Sequence, residues 1–116
     1  MGVIYYADAA EIPVQRASEI NPVRVKPDEP DALMRYLTAA EPSAPSVQLV
    51  QFEPNRRSAP HSHPTGEIIY VLEGEGRWGD YALKPGVLIY VEKDTVYGPV
   101  VGGPDGMKFL RVELPD

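Results

Sequence analysis

Ten glycines and thirteen prolines are scattered through the 116 residues without a period, and that scatter is the strongest restriction on the fold. Each proline fixes φ and removes a backbone donor, so a chain punctuated this often cannot sustain long helices. Between the breaks lie short apolar runs at spacings of roughly 8 to 12 residues, the pattern of turn-linked strands in an antiparallel sandwich or small barrel. The expected class is all-β, and a chain of this length has room for one domain.

The strands are most legible after residue 45. Val47, Leu49 and Gln51 share one face of a strand that ends in the turn Glu53-Pro54-Asn55. Residues 67–73 (EIIYVLE) are a β-prone run closed by Gly74, followed by a separate short piece over 75–78 that turns at Gly79-Asp80. Residues 81–84 lead into Pro85-Gly86, and 87–91 (VLIYV) are apolar throughout, a strand compatible with burial on both faces. Residues 94–101 are expected to continue as β, 102–106 (GGPDG) to break the chain as a loop, and 108–114 to alternate as the final strand.

The organisation expected is an N-terminal arm with edge strands over residues 1–44 and a barrel over 45–116. Within the arm, residues 3–6 are β-prone, 9–12 fit one helical turn before Pro13, and 23–25 fit a short strand between Pro22 and Pro27. Residues 32–40 (ALMRYLTAA) suit helix and strand equally, and 41–45 read as a loop.

Composition narrows the function. Hydrophobic residues at 43% and charged residues at 24% are those of a globular fold. Eleven basic against seventeen acidic residues leave a net charge of −6, which argues against nucleic acid or an anionic membrane as partner. There is no cysteine, so disulfides, thiolate metal sites and cysteine nucleophiles are excluded. No apolar run is long enough to span a bilayer, and the first ten residues do not read as a secretory signal. A cytoplasmic location is the expectation.

Chemistry concentrates at the two histidines, His61 and His63. Residues i and i+2 of an extended chain point to the same face, so both imidazoles project together. The turn Pro64-Thr65-Gly66 then returns Glu67 beside them. Two neutral imidazoles and one carboxylate can occupy a triangular face of a divalent ion and leave the opposite positions open. Ile69 and Val71 share the parity of Glu67 and form a dry wall, while Tyr70 and Leu72 face away. Two other readings of the histidines stand: a solvated surface turn, and hydrogen-bonding groups in a metal-free barrel.

The spacing H-x-H-x3-E-x6-G, carried by His61, His63, Glu67 and Gly74, resembles the first motif of the cupin superfamily, G-x5-H-x-H-x3,4-E-x6-G. Its leading glycine position falls on Asn55, the residue next most tolerant of a left-handed turn. The second motif, G-x5-P-x-G-x2-H-x3-N, keeps Gly86 but has Glu92, Asp94, Tyr97 and Val101 at its proline, glycine, histidine and asparagine positions. The resemblance covers about residues 45–114. It implies a cupin-type jelly roll, a homodimer, and a metal site inside the barrel built on His61, His63 and Glu67, with Tyr97 where the usual fourth ligand would stand.

A neutral phenol is a poor metal ligand. Tyr97 is therefore read as a hydroxyl contacting substrate or a ligand in preference to a direct ligand, with plain core packing as a third reading. Trp78 and Tyr81 fit either a pocket mouth or core and interface positions. Arg56 and Arg57 could steer an anionic substrate or be solvated loop charge. Two functions follow. In one, the protein is a dioxygenase-like oxidoreductase on a small organic molecule, holding Fe2+ in preference to Zn2+, Mn2+ or Ni2+, with Tyr97 as the catalytic hydroxyl. In the other, it is a non-catalytic module that binds a metal or small ligand.

Overall fold

The computed structural model describes residues 2, 4–20, 29–38 and 44–115. The expected strand over 23–25 and the loop residues 41–43 lie outside them. The elements in chain order are a 3-10 turn at Ala9–Glu11, β1 (Gln15–Arg16), α1 (Ala17–Ile20), β2 (Ala32–Tyr36), β3 (Ser46–Phe52), β4 (Arg57–Ser58), β5 (Glu67–Trp78), β6 (Tyr81–Leu83), β7 (Leu88–Val91) and β8 (Val100–Glu113). All pairings are antiparallel, in the order β1-β2-β3-β8-β5-β6, with β4 on β8 and β7 on β5. The class is all-β with a jelly-roll arrangement, and the hydrogen-bonded path stays open rather than closing into a ring.

Two long strands organise the sheet. β8 runs against β3 through residues 107–113 and against β4 through 100–101, while β5 follows it on the other side from Glu67↔Glu113 to Trp78↔Val100. The segment 102–106, expected to be a loop, is instead a bend within β8. Its backbone stays bonded to neighbours: Gly102 N–H donates to Arg56 C=O, and Gly103 C=O accepts from Asn55 N–H. Glycine and proline in this stretch let one strand turn and change partner without ending. Likewise, residues 67–78 form one strand, with the break expected near Gly74 appearing as register shifts between Val71 and Glu73 and between Gly74 and Gly76.

The inward face collects Ala32, Val50, Phe52, Ile69, Val71, Trp78, Leu83, Val91, Val100, Met107 and Phe109 as the core. Phe52 and Phe109 meet edge to face, 5.2 Å between centroids, an arrangement the ring quadrupoles favour. Ile69 and Val71 are buried as their parity requires, and Tyr70 and Leu72 are exposed. β7 does not have two buried faces: Val91 is buried, whereas Leu88 and Tyr90 are exposed. Residues 92–99 are not a strand apart from one bridge at Tyr97, where Asp94 takes a positive φ of 60° and Gly98-Pro99 is cis.

The N-terminal region adds to the same sheet. Residues 4–6 are not a strand, the helical turn at Ala9–Glu11 is capped by Asp8, and the ambiguous segment is a strand over Ala32–Tyr36, β2. Asp31 ties α1 to the barrel: it accepts from Ser18 Oγ at 2.5 Å, Ser18 N–H at 3.2 Å and Ala32 N–H at 2.8 Å. Burial by itself would raise the Asp31 pKa, but these hydrogen bonds outweigh it and the value is lowered. Among the described residues no helix is long and apolar enough to cross a membrane.

Gly74 has φ +78°, and a Cβ there would meet Gly106 O at 2.3 Å and Met107 Cα at 2.9 Å. Gly86 has φ +94° with nothing within 4 Å of its Cβ position. Gly86→Ala therefore feels only dihedral strain, about 1–2 kcal/mol. Gly74→Ala adds a backbone collision between β5 and β8 and is expected to lose about 3 kcal/mol or more. Urea denaturation followed by circular dichroism measures both, and equal losses would contradict the close approach.

Candidate functional site

Backbone geometry brings the candidate residues together. His61 and Tyr97 form an isolated bridge, each N–H donating to the other's C=O at 3.0 and 2.9 Å, and Asp94 N–H donates to His63 C=O at 2.8 Å. This clasp holds the loop before β5 against the loop before β8. The imidazoles of His61 and His63 stand edge to face with centroids 4.8 Å apart, and Tyr97 lies 4.7 Å from His61. Trp78 stacks on Tyr97 at 4.4 Å and 17°. The Pro64-Thr65-Gly66 turn returns Glu67 so that its Oε2 is 3.7 Å from His63 Nε2.

Glu67 is 2% exposed, and a buried carboxylate requires compensation. Tyr97 Oη donates to Glu67 Oε1 at 3.1 Å and lies 3.3 Å from Oε2. The charge itself is answered by Arg111, whose Nη2 is 3.0 Å from Glu67 Oε2. The same Nη2 stands 3.1 Å from His63 Nε2 and 2.9 Å from Glu113 Oε1, while Nη1 donates to Gln48 Oε1 at 3.3 Å. A guanidinium only donates, so His63 Nε2 is the acceptor and the ring carries its proton on Nδ1.

The ionisation states follow. Burial and then the Glu67 charge push the Tyr97 phenol up, so it stays protonated and serves as a donor. Burial alone would depress Arg111, but Glu67 and Glu113 more than reverse this and raise its pKa. Burial, reinforced by Arg111, lowers His63 despite the opposing pull of Glu67. His61 is oriented separately, its Nδ1 lying 2.7 Å from Ala59 C=O, which leaves Nε2 as the acceptor nitrogen.

These side chains form one wall of a cavity of about 260 Å³ inside the barrel. The remaining lining is largely apolar, from Val50, Phe52, Ile69, Trp78, Val100 and Phe109, with Ala17 and Ile20 of α1, and Arg56 beside them. Tyr81 stays outside this cavity and is exposed. Arg56 is half-buried rather than solvated, donating to Pro30 C=O and lying over the Phe52 ring at 5.3 Å.

All four residues singled out in the sequence line this cavity. As arranged, however, they do not fit a divalent ion. The single lone pair of His63 Nε2 is directed at Arg111, Glu67 accepts from Arg111 and Tyr97, and no group of three or more His, Cys, Asp or Glu is set to hold a metal among the described residues. Arg111, Gln48 and Glu113 were not anticipated as site residues. The signal for them is parity: Arg111 and Glu113 alternate in step with buried Phe109, and Gln48 with Val50 and Phe52.

The Cupin domain family matches residues 48–113, more than half of the chain. No curated protein matches the sequence. Among solved structures, a predicted oxalate decarboxylase from Thermotoga maritima is 19% identical with TM-score 0.74, covering 96% of this chain and 99% of that one. An RmlC-like cupin from Ralstonia eutropha is 14% identical with TM-score 0.73, covering 95% and 68%. A polyketide cyclase from Streptomyces resistomycificus is 21% identical with TM-score 0.70, covering 96% and 79%. At these identities the likeness is one of fold.

The depressed His63 pKa has a definite sign. As pH falls below about 6.5 the unfolded chain takes up a proton on this ring before the folded protein does. The stability His63 contributes is thus complete above that value and is lost as pH falls through the folded-state value. NMR titration of the ring is expected to place His63 below 6.5, and the urea midpoint is expected to drop less on acidification in His63→Asn than in the unsubstituted protein. A ring titrating above 6.5 would contradict the placement beside Arg111.

Proposed function

Since the chain belongs to the cupin family, we propose that it binds a small organic molecule in the barrel cavity, with the ligand's oxygens on the wall of His61, Glu67, Tyr97 and Arg111 and its apolar body against Phe52, Trp78 and Phe109. The observation that carries this reading is a cavity with one buried, hydrogen-bonded polar wall and apolar surface opposite. Such division between orienting polar groups and an apolar lining is the usual build of a ligand pocket. The volume, about 260 Å³, lies below the ~300–1,000 Å³ of drug-sized sites and suits a compact molecule.

A second reading keeps a divalent ion on His61, His63 and Glu67, with oxidation of a small substrate as its chemistry. One observation favours it: the Nδ1 contact of His61 with Ala59 C=O is the outer hydrogen bond that orients metal-binding imidazoles. When bound, such an ion would supply a Lewis acid and a site for an oxygen-bearing ligand. It requires Arg111 to release His63 and Glu67.

Calorimetric titration of chelator-treated protein with catechols, diketones and hydroxy acids separates the two. Binding by at least one of these classes without added metal is expected. Tyr97→Phe should weaken it about tenfold, roughly the 1.4 kcal/mol of one hydrogen bond, with the circular dichroism spectrum unchanged. Binding that appears only after Fe2+ is added would support the second reading, and no binding under either condition would overturn both.

A further inference from the structure

We propose that Arg111 stands in for the divalent ion: its guanidinium is the resident cation of the His63–Glu67 site and keeps transition metals out, so that removing this one side chain opens the site to them. The inference holds whichever small molecule the cavity takes.

The donors stand close to chelating distance. Glu67 Oε2 and His63 Nε2 lie 3.7 Å apart, within a few tenths of an ångström of the ~3.4 Å between two ligands about 2.1 Å from a tetrahedral ion. Both donors already point to Arg111 Nη2, at 3.0 and 3.1 Å. The imidazole has only one lone pair to give, and it cannot serve the guanidinium and a metal together. A divalent ion admitted beside Arg111 would also meet its positive charge at close range in a buried setting, where repulsion is weakly screened.

Arg111 is held in this position from several sides. Glu113 Oε1 binds the same nitrogen at 2.9 Å, Gln48 Oε1 accepts from Nη1, and the side chain is 16% exposed. Its Cα position is set by the ladder, opposite Gln48 of β3 and Ile69 of β5. To vacate the site it would leave two carboxylates without their countercharge and the Gln48 amide oxygen without this donor. The arrangement also accounts for Tyr97 at the fourth position: a carboxylate paired with a guanidinium needs a further donor rather than a further acceptor, and the phenol supplies it.

Cobalt(II) alone is the probe, added to chelator-treated protein at neutral pH. The unsubstituted protein is expected to show neither d–d absorption nor a rise in Tm, and its two histidine ring signals should keep their positions and widths. Arg111→Met is expected to bind one equivalent at least about a hundredfold more tightly, with d–d bands and a raised Tm, and His63→Ala in that background should abolish the gain. If Arg111→Met does not fold, Arg111→Gln, which retains an N–H donor for Glu67, carries the same test. Equimolar cobalt bound by the unsubstituted protein with both ring signals broadened would overturn the proposal. So would folded Arg111 variants that bind no better, or a gain that survives loss of His63.

Discussion

The architecture depends on one strand satisfying its backbone against three partners. β8 bonds to β3 along one stretch and β4 along another, with β5 on its opposite side. A straight strand could not do this. The bend over residues 102–106 changes the partner while Gly102 and Gly103 keep hydrogen bonds across it. At the same bend the β8 backbone meets Gly74 so closely that no side chain fits between. Glycine there is required by contact as much as by φ, which gives the last position of the first motif a mechanical role.

The site inherits its precision from this frame. Glu67 and Glu113 are opposite each other on β5 and β8, and Arg111 is opposite both Ile69 and Gln48. Cross-strand neighbours have closely spaced Cβ atoms, so a buried acid on one strand and a base near its partner position meet without loop adjustment. The two histidines and Tyr97 come from connecting segments, and the His61–Tyr97 backbone bridge supplies the order those segments lack. A rigid cross-strand ion pair and a clasped pair of loops together form the polar wall. Removing one member of a buried pair usually costs about 3–5 kcal/mol because the other charge is left uncompensated, so Glu67 and Arg111 depend on each other within the wall.

Much of this was legible beforehand. The alternation about Glu67 gives the buried faces of Ile69 and Val71, and the i, i+2 spacing gives the convergent imidazoles. Asn55 does adopt the left-handed conformation expected at the leading glycine position, with φ 63°. The misread segments share one cause. Residues 102–106 and 74–76 carry turn residues, and local rules interpret turn residues as chain reversals; here neighbouring strands keep them within β8 and β5 as bends, with Gly74 and Gly106 at positive φ. Residues 94–101 look β-prone, yet before β8 begins at Val100 only Tyr97 is paired, through its bridge to His61. For residues 87–91, apolar content alone did not distinguish one buried face from two.

The sequence by itself determined the all-β class, the buried parity about Glu67 and the meeting of His61, His63 and Glu67. Each of these rests on spacing between near neighbours, where backbone periodicity leaves little freedom. Only the tertiary structure decided what faces those three groups. Arg111 lies 44 residues after Glu67 and 48 after His63, and no local periodicity relates positions so far apart. The register of β8 against β5 and β3 brings its charge to the acid, and that register is a property of the assembled sheet.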